Sequence, residues 1–241
     1  MQFDYVIAGA GSAGCALANR LTEDPNTTVL LLEAGGRDKN MWIHIPAGFT
    51  KTMVDPSVNW LYETEPDPKT NNRSIPIPRG KVLGGSSSIN GMLYIRGQHR
   101  DYDLWAQRGN RGWSFDDVLP YFKRAEDQAR GADEWHGVGG PLHVSDQTEG
   151  HEICDAVIDA AQTLGLPRNN DVNGANQEGF GYCQLTVKNG RRYSTAKAYL
   201  EPALARPNLT VATHAFAKHV VFDNRQATGL AYSQHGEEKI A

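Results

Sequence analysis

Two short apolar runs, separated by a helical pattern, open the chain. The first run, Phe3 to Ala8, and the second, Val29 to Leu32, each predict a buried strand. Between them, a glycine-rich turn at Gly9 to Gly14 leads into a helical pattern that continues through Leu21. This order of strand, glycine turn, helix and strand predicts a complete βαβ unit.

Hydrophobic periodicity further along the chain predicts more helices and strands. Residues 37–78 contain aromatic residues and prolines without a sustained period, which indicates an ordered but irregular, lid-like segment over a site or interface; a plain surface excursion is the alternative. Helices are expected at 101–108, 116–128, 152–165 and 195–204, with Pro120 near a helix start or at a kink. Strands are expected at 142–145 and 181–187, and a β-meander at 209–213, 218–223 and 227–232.

Composition excludes several classes of protein. The 241 residues carry a net charge of −4 with well-mixed signs, which does not suggest a nucleic-acid surface or a polybasic membrane patch. No apolar run approaches the roughly 18 residues that span a bilayer, and no signal-peptide pattern opens the chain. We therefore expect a cytoplasmic protein, either free or peripheral to the inner face of a membrane. Three scattered cysteines predict neither a disulfide framework nor a metal site.

The glycine turn has the spacing of a dinucleotide-binding motif. Gly9 allows the tight turn, Gly11 lets the backbone approach a pyrophosphate, and Gly14 lets the helix pack on the strand. Glu33 ends the second strand, 19 residues after Gly14, where an acid can accept hydrogen bonds from a ribose diol. An acid at this position favours NAD or FAD over NADP.

A second glycine-rich stretch occupies Arg79 to Gly97. Its glycines and serines, Gly84 to Ser88 among them, stand between apolar positions and offer unhindered N–H groups and hydroxyls to an anion or to the edge of a planar ring. A turn with a serine N-cap is the alternative. His136 follows in another glycine-rich loop, as a ligand contact or as a structural histidine.

Together these two stretches resemble the glucose-methanol-choline (GMC) oxidoreductases, flavoenzymes that oxidise alcohols. GKVLGGSSSIN at 80–90, followed by Tyr94, Gly97 and Asp103, is similar to the family's first signature. Three further segments are also family-like: 59–68, 136–142 and 208–223. The resemblance covers essentially the whole chain and is strongest toward choline dehydrogenase-like and alcohol dehydrogenase-like members.

The resemblance implies a role for each matching position. The pyrophosphate and the adenosine ribose would contact Gly9, Gly11, Ser12, Ala13, Gly14, Glu33 and Ala34; the flavin and its phosphates would lie along Val82, Gly85, Ser86, Asn90, Gly91 and Met92; Ala217 would face the adenine. Family members with covalent FAD have a histidine where Ile89 stands, so non-covalent FAD is expected. The family's catalytic histidine would lie beyond Ala241, so no catalytic residue and no metal ligand is expected within the chain.

The expected architecture is therefore α/β: a Rossmann-like FAD-binding domain with the first part of an inserted α+β substrate domain, in a chain that looks truncated. Residues 1–150 and 190–241 would belong to the FAD-binding domain, and 151–189 to the substrate domain. The resemblance implies hydride transfer from an alcohol to flavin N5, with reoxidation by oxygen or a quinone-type acceptor. An NAD-dependent dehydrogenase and a non-catalytic FAD-binding module are the alternatives.

Overall fold

The first strand, helix and second strand follow the expected order. In a computed structural model that describes residues 2–241, the strands are β1 Tyr5–Ala8, β2 Val29–Leu32, β3 Tyr62–Glu63, β4 Pro76–Ile77, β5 Glu126–Gln128, β6 Leu142–Val144, β7 Val187–Lys188, β8 Arg191–Arg192, β9 Leu209–Ala212, β10 Ala215–Asp223, β11 Gln226–Gln234 and β12 Glu237–Ile240. The helices are α1 Ser12–Leu21, α2 Met41–His44, α3 Phe49–Thr52, α4 His99–Gln107, α5 Phe115–Ala125, α6 Glu152–Thr163 and α7 Glu201–Ala203. Short 3₁₀ turns occupy Pro46–Gly48, Pro68–Thr70 and Gly85–Ser88, and Ala196–Leu200 is a π-helical turn before α7. The α/β fold class is confirmed.

The chain forms two compact units. The first comprises Met1–Gly91 and Gly190–Ala241, and the second comprises Met92–Asn189. The division at 189/190 coincides with the expected return to the first domain. Residues 92–150, which we expected in the first domain, belong instead to the same unit as 151–189. Hydrogen bonds from Arg96 and Gln128 to partners in the 170s and 180s account for this arrangement.

A parallel sheet and an antiparallel sheet share the core of the first unit. The parallel sheet has the order β1-β2-β9, and β2 is buried along its whole length because strands flank it on both sides. Leu30 and Leu32 of β2 pack against Ala215, Leu230 and Tyr232 of the antiparallel sheet β10-β11-β12. One face of β2, including its carboxyl end, is thereby packed against the antiparallel sheet.

The β-meander does not contain the three strands that were expected. The first expected strand lies outside it, and its last strand was not predicted. Residues 209–212 form the third parallel strand, because they pair with β2 in register from Val29↔Leu209 to Leu32↔Ala212. The third strand of the meander is β12, Glu237–Ile240, which pairs with β11. Its sequence, EEKI, is mostly charged and exposed, so it carries no apolar run from which a strand could be predicted.

The segment 37–78 has little regular structure, as expected, and is packed down. It contains only the four-residue helices α2 and α3, two 3₁₀ turns and the short antiparallel pair β3-β4. Ile43 and Val58 from this segment form a buried cluster with Val82 and Ile89. Whether the segment acts as a lid stays a prediction.

In the second unit, two predicted elements differ from the structure. The helix expected to run to Gln128 ends at Ala125, and Glu126–Gln128 forms a strand parallel to β6; Pro120 lies in the middle of α5. The strand expected at 181–187 is wrong, because within residues 2–241 the strand there covers only Val187–Lys188. The rest of the expected run makes isolated β-bridges, from Leu185 to Leu93 and to Ser145, and the Tyr182 hydroxyl donates to Asp155.

Buried charges hold the second unit together. The Arg96 guanidinium pairs with Glu126 at 2.8 Å, and Glu126 is fully buried. His136 lies between Glu126 and Asp171, at 3.1 and 3.0 Å, and the hydrogen bonds that its ring donates to these carboxylates, that to Asp171 first, raise the pKa of His136 to about 9. His136 is therefore a structural imidazolium, which is one of the two roles expected for it.

Candidate functional site

The glycine turn between β1 and α1 has the geometry that each glycine was expected to supply. Gly9 has a φ of +95°, a conformation that strongly favours glycine. A Cβ on Gly14 would lie 2.0 Å from the Gly9 carbonyl oxygen, so the helix can approach the strand only without a side chain there. A Cβ on Gly11, in contrast, would meet no atom within 4 Å. Gly11 therefore faces open space, and Gly14 faces the turn.

The first turn of α1 presents free donors to this space. Within the described chain, the N–H groups of Ser12, Ala13 and Gly14 have no acceptor, and no side chain caps the helix. The first helical hydrogen bond is from Cys15 to Gly11. Unpaired N–H groups and the positive end of the helix dipole favour an anion at this position.

Glu33 stands at the carboxyl end of β2 with its carboxylate turned inward. The Ala10 N–H donates to Oε2 and the Gly35 N–H donates to Oε1, both at 2.9 Å. Burial raises the pKa of Glu33, an effect that these two bonds and the nearby Lys81 charge partly offset. Each carboxylate oxygen retains a lone pair, because a carboxylate accepts about four hydrogen bonds. Glu33 can thus organise the turn and still accept a ligand hydroxyl.

The second glycine-rich stretch packs directly on the first. The Gly84 N–H donates to the Ala10 carbonyl at 2.8 Å, and a Cβ on Gly85 would lie 2.7 Å from the Gly11 Cα. Both Gly84 and Gly85 have positive φ, at +88° and +54°. The two loops, remote in sequence, therefore form one continuous wall whose close approach requires glycine.

One pocket of about 580 Å³ collects most of the predicted site residues. Its walls include Gly9, Gly11, Ser12, Ala13, Gly14, Glu33, Ala34, Gly85, Ser86 and Ala217. A smaller hollow of about 260 Å³ in the second unit contains none of them. The sequence-predicted site is thus largely brought together in the first unit.

Four predicted residues do not line this pocket. Val82 is 1% exposed and belongs to the buried cluster with Ile43. The Asn90 side chain accepts a hydrogen bond from Arg192. Gly91 ends the first stretch of its unit, and Met92, with a φ of +64°, begins the second unit.

The pocket also has walls that the sequence did not identify. These are formed by Ala8, Leu32, Trp60, Arg79, Gly80, Ala215 and Phe216. Trp60 packs edge-on to Phe216, with ring centroids 6.1 Å apart, and the Lys81 ammonium lies 4.6 Å from the centre of its ring. The aromatic residues among the prolines of 37–78 were the available indication that this segment is packed against a site.

The described residues also show which ionisable groups line the pocket, and whether they include a metal-binding cluster or a membrane-spanning helix. Among them no histidine lines the pocket, whose ionisable groups are Glu33 and Arg79. Residues 2–241 hold no cluster of three or more histidine, cysteine, aspartate or glutamate side chains arranged for a metal ion. Over the same residues, no helix has the length and apolar character to cross a membrane.

The chain is similar to known proteins of one oxidoreductase family. A family model described as GMC oxidoreductase matches residues 3–241. An oxygen-dependent choline dehydrogenase of Escherichia coli is 51% identical over 237 residues, covering 96% of this chain and 43% of the relative. Pyridoxine 4-oxidase from Mesorbium loti superposes with a TM-score of 0.95 at 35% identity, over 99% of this chain and 47% of that one. An FAD-dependent oxidoreductase from Chaetomium thermophilum gives a TM-score of 0.90 at 28% identity, covering 100% of this chain and 44% of that one. The chain spans less than half the length of each of these proteins.

Proposed function

This chain belongs to the GMC oxidoreductase family, and we propose that it supplies the FAD-binding part of an enzyme that oxidises a small alcohol. The observation that carries the proposal is the single pocket that joins the free N–H groups of α1, the Glu33 carboxylate and the second glycine-rich stretch. An NAD-dependent dehydrogenase needs only the βαβ unit. The packing of Gly84 and Gly85 against that unit favours the larger cofactor, FAD.

We assign the parts of FAD to successive residues of the pocket. The diphosphate would bind at the N–H groups of Ser12, Ala13 and Gly14, where a helix N-terminus favours anions. Glu33 would accept hydrogen bonds from the adenosine ribose diol. The adenine would lie near Ala217, with Trp60 and Phe216 as an apolar wall that the sequence did not predict.

The second glycine-rich stretch would hold the flavin half of the cofactor. We assign Val82, Gly85, Ser86, Asn90, Gly91 and Met92 to this role, Gly85 and Ser86 from the pocket wall and the others from the family resemblance. Ile89 is 2% exposed and has no nucleophilic atom, so we propose that FAD is held without a covalent bond.

In this proposal the chain binds and orients while the cofactor supplies the redox chemistry. When bound, FAD would supply the capacity to take up a hydride from an alcohol, and the residues of the pocket would hold and orient it. We propose a choline-like substrate and oxygen as the electron acceptor, by analogy with the oxygen-dependent choline dehydrogenase. An aliphatic primary alcohol and a quinone-type acceptor are the alternatives that the family resemblance implies. Removing the hydroxyl proton needs a base within hydrogen-bond reach. Since no histidine of the described chain lines the pocket, we place that base outside these 241 residues.

The same observation favours a second candidate, a non-catalytic FAD-binding module. The two candidates share the cofactor and differ in whether an alcohol reduces it. In both, the 241-residue chain alone is expected to bind FAD without oxidising alcohols.

The test is to titrate the purified chain with FAD and, separately, with NAD, and then to precipitate the FAD complex with acid. We expect saturable binding of FAD, weaker or absent binding of NAD, and yellow colour in the supernatant. Flavin retained in the pellet would contradict non-covalent binding, and preference for NAD would refute the proposal. Anaerobic mixing of the complex with choline and with medium-chain primary alcohols should leave the flavin absorbance unchanged; bleaching would place the base within this chain. The same mixing with the product of the complete reading frame separates the candidates, because an enzyme bleaches its flavin and a binding module does not.

A further inference from the structure

Arg192 is buried in the first compact unit without a carboxylate partner. It is 2% exposed, and its Nε donates to the Ile43 carbonyl at 2.7 Å. Its Nη1 donates to the Ser87 carbonyl at 3.1 Å and to the Asn90 side-chain oxygen at 2.9 Å. Within residues 2–241, its Nη2 is buried with no hydrogen-bond partner. All three acceptors are neutral, so no residue bonded to Arg192 within the described chain neutralises its positive charge.

A buried charge of this kind destabilises the protein when no ligand is bound. Burial, acting without an opposing interaction from an acidic group, lowers the pKa of the Arg192 guanidinium to about 10. A buried ion that lacks a counter-ion loses its hydration without regaining an equivalent interaction. The unpaired Nη2 adds the desolvation penalty of an unmade hydrogen bond. These losses are relieved if a ligand supplies negative charge nearby.

The position of Arg192 indicates which ligand that is. Ser87 is the next residue after Gly85 and Ser86, which line the proposed FAD pocket, and Asn90 follows four residues after Ser86. The same stretch is held a second time by Thr195, whose N–H donates to the Ser87 hydroxyl at 3.0 Å. The Arg192 charge therefore lies behind the wall of the pocket, bonded to the turn that forms it.

Resting on the proposed function, we propose that Arg192 is a positioning residue for the cofactor: it fixes the turn through Ser87 and Asn90, and the negative charge of bound FAD compensates its own charge. Two parts of FAD carry such charge, the diphosphate in every redox state and the isoalloxazine ring when it is reduced. Charge–charge interactions persist over several ångströms in an interior of low dielectric, so direct contact is not required.

The experiment compares Arg192→Gln with Arg192→Lys. Glutamine is neutral and keeps a hydrogen-bond donor, whereas lysine keeps the positive charge but lacks the planar guanidinium group with its several N–H donors. Arg206→Gln is the matched control, since Arg206 also donates to a backbone carbonyl, that of Asn19, but does so at the far end of α1. For each chain we would measure the melting temperature with and without FAD, the dissociation constant of FAD, and the midpoint potential of the bound flavin.

We expect Arg192→Gln to weaken FAD binding about tenfold or to lower the midpoint potential, with a smaller FAD-induced rise in melting temperature. Arg192→Lys should stay within about threefold of the wild type, and Arg206→Gln should alter the melting temperature alone. Weaker binding at an unchanged potential identifies the diphosphate, and a lowered potential identifies the reduced ring; either supports the proposal.

Equal FAD affinity and potential in the wild type and Arg192→Gln would overturn the proposal. So would a glutamine variant that fails to fold while the lysine variant folds, because the charge would then be needed by the protein itself. Failure of both variants to fold would make the guanidinium purely structural. If the wild type binds no FAD, the proposed function fails and this inference fails with it, an outcome distinct from a wild type that binds FAD no differently from its variants.

Discussion

Replacing Gly14 and Gly11 separately with alanine should distinguish packing from cofactor binding in the glycine turn. The Cβ of Gly14→Ala would lie 2.0 Å from the Gly9 carbonyl oxygen and 3.1 Å from its carbon. Both are backbone atoms, so α1 or the turn would have to move by more than an ångström. Overpacking of this kind costs about 3 kcal/mol or more, at the upper end of the usual range. At roughly 2 to 4 °C per kcal/mol for a chain of this size, the melting temperature should fall by about 6 to 12 °C.

Gly11→Ala should behave in the opposite way. Its Cβ meets nothing within 4 Å, and the Gly11 φ of −74° is accessible to alanine. Loss of chain entropy in the unfolded state favours alanine by about 0.4 to 1 kcal/mol, and the poorer N-cap opposes it by a similar amount, so the free energy of unfolding should change by less than about 1 kcal/mol. The methyl group would nevertheless occupy the space in which we propose that the diphosphate approaches α1. We therefore expect FAD affinity to fall about 100-fold or more.

The assay is thermal unfolding of the apoprotein, followed by FAD titration of each folded variant. A Gly14→Ala chain as stable as the wild type would show that the helix does not need this close approach. A stable Gly11→Ala chain with unchanged FAD affinity would show that the cofactor does not pass over Gly11, and would refute the assignment of the pocket.

Two further substitutions test the charged groups. Glu33→Gln would turn an amide N–H toward one of the two backbone N–H donors, so unfolding free energy should fall by about 1 to 3 kcal/mol and FAD binding by about 1 to 2 kcal/mol; Glu23→Gln, an exposed control, should change neither. His136 has a folded-state pKa of about 9 against an ordinary 6.5, so its stabilising contribution is complete below pH 6.5 and is lost as pH rises through 9. Urea unfolding should show about 3 kcal/mol of stability disappearing over that range, because the imidazolium between Glu126 and Asp171 loses its proton. His136→Gln should flatten the profile between pH 6.5 and 10, and an unaltered slope would mean that another group titrates.

Local pattern was sufficient to predict the elements whose chemistry lies within a few residues. The βαβ unit, α6 and the position of the acid at Glu33 agree with the structure, because each depends on a short run with its own period and its own stop. Predictions based on short-range pattern failed where pairing with a strand remote in sequence decides which sheet a segment joins. Residues 209–212 have the same apolar character as a meander strand, and it is hydrogen bonding to β2 that makes them part of the parallel sheet.

The sequence by itself determined the glycine spacing, the acid after β2 and the family signature, since these depend on residue types at fixed separations. Tertiary structure alone decided that Gly85 would touch Gly11, that Trp60 and Phe216 would form a wall of the pocket, and that residues 92–150 would join the second unit. It also brought Arg192 to the second glycine-rich stretch, where it donates to Asn90, 102 residues away in the sequence. Contacts over such separations form only when remote segments pack together. The type of a single residue does not specify which remote residue will become its neighbour.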